Sequence, residues 1–315
     1  MMKVGLYSIS CSGVWFKDRP ALTVEEFIDT AAKYHYEGVE IDLKRPHGSP
    51  LDLDAKRCAQ IREYAASKGQ PICAVAANNN FAMPIPETVE NELLMVREQI
   101  RVAKELGAPV LRLFAAWRGI VIRDGVASYE PTRNPNYLGM LKYQQYQQIL
   151  SCFRECAKWA EDAGVILALQ NHAPVVESYE DMLEFVHLVD SPNFKCCLDA
   201  PCLGWNEKMQ SDAHIRQSVQ DVGNLQVLSH ANAEFVEHAD GSVEMVSFDP
   251  HEQPVLTNYP MFIKTLIETA YDGYINYEFC HAPFRNGRLL GYQDYIENQI
   301  RLARIYFKQL IDLYS

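Results

Sequence analysis

The run VILALQNH (residues 165–172) decides the fold, because a short apolar segment ends abruptly in a polar group, Gln170. Three later runs repeat the pattern: FKCCLDA (194–200) reaches Asp199, LQVLSHAN (225–232) reaches His230, and INYEFCH (275–281) reaches Glu278. Continuous apolar runs of this length are typical of parallel strands buried on both faces. Four parallel strands that end this way bring four polar groups to one point, where each can bind a divalent metal through oxygen or imidazole nitrogen.

Strand-like and helix-like segments alternate along the whole chain. The predicted strands cover 3–8, 38–43, 71–77, 109–116, 165–171, 194–199, 225–230 and 274–279. A helix is predicted to begin at a capping box of Thr23 and Glu26, and others cover 54–68, 89–106, 142–162 and 292–313, with Gly164 as a helix stop. Eight such units predict a (β/α)8 TIM barrel in one domain, residues 1–315. A doubly wound open sheet is the alternative, but it often carries a glycine-rich phosphate loop, and no GxGxxG or GxxxxGK motif occurs.

Composition restricts the partners. The chain has 315 residues, of which 48% are hydrophobic, and a formal charge of −12. This charge argues against nucleic acid, whose binding depends on Lys and Arg neutralising phosphates. No apolar run reaches the roughly 20 residues that cross a bilayer, and the start MMKVGLYSIS lacks the pattern of a signal peptide, so we expect no membrane association and a cytoplasmic protein.

The nine cysteines do not suggest a disulfide scaffold, since their number is odd and several lie in apolar segments. No CxxC pair occurs, so a zinc knuckle has no support, and we expect buried reduced thiols. Cys202 and Cys280 differ from the others because they closely follow Asp199 and Glu278.

Two connections are long, 115–140 after the fourth strand and 231–257 after the seventh. Both fall at the carboxyl ends of strands, where barrel enzymes build their sites, and loops this long are usually functional. We therefore interpret them as candidate lids.

The strand-end residues resemble the xylose isomerase-like sugar isomerase/epimerase superfamily, and the resemblance covers nearly the whole chain. In that family Glu, Asp, His and Glu at the ends of the fifth to eighth strands hold a metal, commonly manganese. Asp199, His230 and Glu278 match this order, whereas QNH stands where many relatives have ENH. Gln170 can still coordinate through its amide oxygen, but as a neutral ligand, which implies a more Lewis-acidic and more loosely held metal.

The resemblance implies a divalent cofactor, Mn²⁺ first and Mg²⁺, Co²⁺ or Zn²⁺ as alternatives. Its chemistry removes a proton beside a sugar carbonyl, with a metal stabilising the resulting charge. Glu278 is then a ligand and a candidate base. His172, two residues after Gln170, is the second candidate acid or base, and its alternative role is a structural histidine at a strand end.

Further polar and aromatic residues are candidates for binding a sugar. Arg112 lies inside the apolar fourth strand and either grips substrate oxygens or pairs with Glu40 or Asp42. The remaining candidates all follow strands: Arg45, His47, Asn78 and Asn79, with Trp15, Trp117 and Trp205 as stacking surfaces. The alternative for each is ordinary, a solvated loop for Arg45 and His47, a turn for the asparagines and core packing for the tryptophans.

Several functions remain open. The first is an isomerase or epimerase of a keto-sugar. The second is a lyase that cleaves 3-keto-glycosides by elimination, because the α-subunits of C-glycoside deglycosidases, which work with a smaller β-subunit, resemble this superfamily too. An apurinic endonuclease would need more zinc ligands and a basic face, and a non-catalytic barrel would leave the Asp199, His230 and Glu278 set unexplained. We expect an oligomer and a small sugar or glycoside as substrate.

Overall fold

The computed structural model describes residues 1–117, 119–123, 126–128, 140–247, 255–281 and 292–315. Its strands in chain order are β1 Lys3–Tyr7, β2 Val39–Asp42, β3 Ile72–Ala76, β4 Val110–Leu113, β5 Val121–Arg123, β6 Val126–Ser128, β7 Ile166–Gln170, β8 Phe194–Cys197, β9 Gln226–Ala231, β10 Glu234–Glu237, β11 Val243–Val246 and β12 Tyr274–Tyr277. Its α-helices are α1 Val24–Lys33, α2 Ala55–Ser67, α3 Pro86–Leu106, α4 Lys142–Ala163, α5 Tyr179–Val189, α6 Asp212–Val222, α7 Tyr259–Glu268 and α8 Gln293–Tyr314.

Eight of the strands close into a barrel in the order β1, β12, β9, β8, β7, β4, β3, β2. Neighbouring barrel strands are all parallel, as short strands joined by helical crossovers require. The predicted single-domain TIM barrel is thereby confirmed. The largest error in a strand end is at β4, which was expected to reach residue 116 and ends at Leu113.

Local signals fix the helix ends as the sequence predicts. Thr23 caps α1: its side chain accepts a hydrogen bond from the Glu26 backbone, and its own backbone N–H donates to the Glu26 carboxylate. The predicted capping box is thereby confirmed. Gly164 ends α4 in the left-handed region, at φ 72°, where a side chain would be strained. No helix in the described part of the chain is both long enough and apolar enough to span a membrane.

The two long connections are more ordered than plain loops. The first contains the β5–β6 hairpin, and the second contains the antiparallel β10–β11 hairpin. Phe235 of β10 packs against Tyr306 and Phe307 of α8, with ring centroids 5.0 and 6.0 Å away, so this hairpin is docked on the barrel. Residues 129–139 and 248–254, which the candidate lids include, lie outside the described residues.

All nine cysteines are free thiols, as expected from their odd number and apolar surroundings. Seven are buried, and Cys202 and Cys280 are half-buried. Burial raises the pKa of Cys58 to about 11 and that of Cys196 to about 12, so these thiols are protonated and act as small apolar side chains.

Candidate functional site

The four polar side chains at the ends of β7, β8, β9 and β12 converge at the carboxyl end of the barrel. Asp199, His230 and Glu278 each offer one ligand atom, and these atoms lie within 4.8 Å of one another. Gln170 joins them, because its Nε2 donates to Asp199 Oδ2 at 2.8 Å. Glu278 directly follows β12 and Asp199 lies two residues after the end of β8, whereas Gln170 and His230 belong to their strands. The four residues form what we call the strand-end centre.

Three atoms of the strand-end centre are buried without a hydrogen-bond partner among the described residues: Gln170 Oε1, Asp199 Oδ1 and His230 Nδ1. A buried polar atom left unpaired destabilises a protein by about 1–3 kcal/mol, so three in one place require an explanation. All three are electron-pair donors, and with the Glu278 carboxylate they form the mixed oxygen and nitrogen set that suits a divalent cation. The residues therefore fit a metal.

The charges at the strand-end centre also favour a bound cation. Burial, and next the charge of Glu278, raise the pKa of Asp199 to about 7. Two carboxylates this close in a buried place repel each other, and a cation between them would remove that penalty. Cys202 lies beside them on the short 3-10 helix Pro201–Leu203, with its thiol donating to Asp199 Oδ2 at 3.3 Å.

His230 is held on its far side by a carboxylate from the opposite part of the barrel. Its Nε2 lies 2.8 Å from Glu40 Oε2, and Asn276 Nδ2 donates to the same oxygen at 2.7 Å. The ring also stacks on Tyr7, with centroids 5.3 Å apart. Burial opposes a charged imidazole, but the Glu40 and Glu278 carboxylates outweigh it and raise the pKa of His230. Sequence alone connects Glu40 only with Arg112, so its place beside His230 was missed.

Arg112 points into the barrel but does not bind an acid directly. Its guanidinium donates to the Ala77 carbonyl and the Tyr7 hydroxyl, both at 2.8 Å, and lies 4.1 Å from the centroid of the Phe114 ring. The expected alternative, an ion pair with Glu40 or Asp42, is not among the ion pairs of the described residues. Arg112 Nε is buried without a described partner, which leaves one donor for a substrate oxygen.

His172 belongs to an aromatic group beside the strand-end centre. Its ring meets Phe114 and Trp117 edge-on, with centroids 4.9 and 5.2 Å away. Nδ1 lies 2.6 Å from the Ala173 carbonyl, so this nitrogen carries the proton and Nε2 keeps a free electron pair. Burial lowers the pKa of His172 to about 4, so the ring is neutral near neutral pH.

Of the remaining sugar-binding candidates, Asn78 and Trp117 line a cavity, and the others are buried, half-buried or on the surface. Asn78 donates to Asp42 at 2.6 Å and lines a cavity of about 380 Å³ together with Val14, Lys44, Trp117, Gly119, Ile120 and Ile122. Asn79 is structural, since both ends of its amide bond the Phe114 backbone. His47 is buried, with Nε2 against the Leu22 carbonyl and its ring 6.0 Å from the Phe27 ring of α1. Trp15 is in the core, Arg45 pairs with Asp52 on the surface and Trp205 is half-buried.

A second buried carboxylate and imidazole pair lies close by and was also missed. His281 Nε2 lies 2.9 Å from Glu234 Oε1, and its Nδ1 lies 2.7 Å from Asn232 Oδ1. The Tyr295 hydroxyl of α8 donates to the other oxygen of Glu234. This group links the segment after β9 to the segment after β12, and therefore ties together the supports of His230 and Glu278.

The fold and the place of the site define a TIM-barrel protein with a polar centre at the carboxyl ends of its strands. Residues 28–302 match the family described as xylose isomerase-like TIM barrel, and the chain belongs to that family. The resemblance inferred from the strand-end residues is confirmed.

Among curated relatives, fructoselysine 3-epimerase of Shigella flexneri is 23% identical over 293 residues, which cover 90% of this chain and 94% of that protein. The Escherichia coli O157:H7 protein of the same name is 22% identical over the same coverage. Among solved structures, D-psicose 3-epimerase of Clostridium cellulolyticum H10 with D-tagatose superimposes with a TM-score of 0.69 at 16% identity, covering 98% of this chain and 99% of that one. The apo 3-keto-D-glucoside 4-epimerase of E. coli gives 0.66 at 15% identity, with 98% and 99% covered. Identities this low in solved structures show the fold alone.

Proposed function

We propose that this protein is a divalent-metal-dependent epimerase or isomerase of a keto-sugar. Its family and the names of its relatives, fructoselysine 3-epimerase among the curated proteins, support an enzyme that acts on sugars. Three buried atoms carry the proposal, Gln170 Oε1, Asp199 Oδ1 and His230 Nδ1, each without a hydrogen-bond partner among the described residues. Asp199 and His230 lie with Glu278 in one group of possible ligands, and Gln170 is hydrogen-bonded to Asp199. A structural centre would leave no such set unsatisfied.

Gln170, Asp199, His230 and Glu278 would hold the ion, and we propose Mn²⁺. When bound, the ion would supply a Lewis acid that polarises substrate oxygens. The amide of Gln170 adds no charge, so Asp199 and Glu278 alone balance a divalent ion within the ligand set.

The protein's own groups would move the proton. Glu278 and the neutral His172 ring are the two candidate bases, and a base on each side of a carbon is what inversion of a stereocentre requires. Arg112, with one donor unused, would bind a substrate oxygen between them. Asn78 and Trp117, which line the adjoining cavity, would contact the rest of the sugar.

The test is hydrogen exchange in heavy water. Protein loaded with Mn²⁺ is incubated with D-fructose, D-psicose or a substituted ketose, and deuterium beside the carbonyl is followed by mass spectrometry. Glu278→Gln and His172→Ala should each lose exchange by about 10²-fold or more, the usual contribution of a positioned base. Tyr36→Phe serves as the control, because it removes a buried hydrogen bond at the other end of the barrel. A lack of exchange with every keto-sugar would contradict the proposal.

The same experiment distinguishes the lyase alternative. A 3-keto-glycoside is offered beside the free ketose, and both are followed by mass. An epimerase or isomerase returns the proton and gives a product of unchanged mass in ordinary water. Release of an aglycone would instead indicate elimination. If that release required a second, smaller chain, the protein would also have the β-subunit expected for C-glycoside deglycosidases.

A further inference from the structure

We propose that Glu40 is a positioning residue that orients His230 as a metal ligand through Nδ1, an inference that rests on the proposed function. Glu40 lies in the middle of a buried apolar strand, β2, and its side chain is fully buried. A carboxylate in such a place is strongly disfavoured unless it is paired. Its partners decide what it does.

Both described partners of Glu40 bind the same oxygen. His230 Nε2 and Asn276 Nδ2 meet Oε2 at 2.8 and 2.7 Å, whereas Oε1 is buried without a described partner. Because a carboxylate only accepts, the His230 proton must sit on Nε2. The electron pair of the ring is then on Nδ1, which faces the strand-end centre and lies 3.8 Å from Glu278 Oε2. An imidazole that donates its other N–H to a carboxylate is the usual support of a metal-binding histidine.

The barrel interior is built around this contact. Asn276 lies opposite His230 in the register of β12 and β9, and its other neighbour in the sheet is Gly5. A Cβ at Gly5 would lie 1.9 Å from Asn276 Oδ1, so only glycine leaves room for the amide. Tyr7 packs on the face of the His230 ring and fixes its tilt. Residues of four strands, β1, β2, β9 and β12, therefore hold the His230 ring in one orientation.

Stability alone does not require the Glu40 and His230 pair, since a buried ion pair can often be replaced by apolar residues without loss of stability. Orienting His230 as a metal ligand would explain why the pair is present. The pair also bears on the neutral ligand Gln170, which brings no charge to the proposed ligand set. The hydrogen bond to the Glu40 carboxylate makes the His230 imidazole a more basic ligand, which compensates in part for that missing charge.

The experiment compares Glu40→Gln, Glu40→Ala and Tyr36→Phe with the wild type by Mn²⁺ titration, read by electron paramagnetic resonance. Glu40→Gln keeps an oxygen for both hydrogen bonds and loses only the charge, so affinity should fall by about tenfold, whereas Glu40→Ala loses both and should fall by about 100-fold, the range found for such outer partners. Tyr36→Phe, which lies just before β2 and loses a hydrogen bond to α8, should lower the melting temperature and leave the affinity unchanged.

A readout without metal accompanies the titration. The proton on His230 Nε2, held by Glu40, should give a downfield, exchange-protected imidazole resonance that disappears in Glu40→Ala. Persistence of that resonance, or Mn²⁺ affinity of Glu40→Ala within twofold of the wild type, would overturn the positioning role alone. Failure of the wild-type protein to bind Mn²⁺ at all would overturn the proposed function and this inference together.

Discussion

Two buried carboxylate and imidazole pairs lie at the carboxyl end of this barrel, and they differ in the hydrogen bonding of one ring nitrogen. In the pair of Glu234 and His281 both ring nitrogens have partners, Glu234 and Asn232. In the pair of Glu40 and His230 only Nε2 has a hydrogen-bond partner among the described residues, and Nδ1 is buried without one. A complete network holds segments together, whereas an incomplete one facing other unpaired donors indicates a ligand site. The comparison teaches where to look for function among buried histidines.

The largest expected effect separates the two pairs. His230→Ala removes a ligand, so Mn²⁺ affinity should fall by more than about 100-fold, beyond the loss caused by an outer partner. His281→Ala removes the imidazole partner of one Glu234 oxygen and should lower the free energy of unfolding by about 3 kcal/mol while metal binding persists. Metal analysis and denaturant titration of both variants measure this. Equal loss of metal in the two variants would show that the comparison is wrong.

A middle-sized effect concerns Gln170. Gln170→Glu puts a second carboxylate 2.8 Å from Asp199 Oδ2, where Nε2 now donates. The metal-free protein should be destabilised by this repulsion, and Mn²⁺ should bind about tenfold more tightly and restore stability, because each negative charge near a buried cation favours binding. The added charge also blunts the Lewis acid, so turnover should fall.

The control for that variant is Gln70→Glu. Gln70 is equally buried but lies just before β3, at the other end of the barrel, where its amide donates to the Tyr36 carbonyl. The Gln70→Glu protein should be destabilised to a similar degree, and Mn²⁺ should not restore its stability. Unchanged metal affinity in Gln170→Glu would place Gln170 outside the ligand set.

The sequence predicts the barrel well because its signals are local. Each strand is predicted by an apolar run, and the predicted helix ends at Thr23 and Gly164 have their own caps. The strand-end residues were predictable for the same reason, since parallel strands bring their carboxyl ends together whatever the loops do. Convergence of Asp199, His230 and Glu278 followed from topology alone.

The supports of the site depend on contacts between distant residues, and these were missed. His230 and Glu40 are 190 positions apart. One local signal was available: Glu40 and Asp42 are two residues apart in an apolar strand, which puts two acids on one face of it. The β10–β11 hairpin also had a signal, since Asp240 and Gly241 lie between two strand-like stretches. No pattern in RPHGSP predicts that His47 contacts Leu22 and Phe27, because that depends on how the chain around α1 packs.

The smallest expected effect concerns His47, a third buried histidine, which has no carboxylate partner. Its Nε2 lies 3.1 Å from the Leu22 carbonyl and Nδ1 has no described partner, and burial lowers the pKa of His47 below its ordinary value. A histidine whose pKa falls on folding stabilises the protein fully above the unfolded pKa of about 6.5, and this contribution is lost as the pH drops below it. His47→Gln cannot be protonated there, so denaturant titrations of both proteins from pH 8 to 5, a span chosen around that value, should show wild-type stability falling more steeply than that of the variant. Parallel pH profiles would mean that both ring nitrogens of His47 have hydrogen-bond partners, as those of His281 have, and would group His47 with the fully hydrogen-bonded pair.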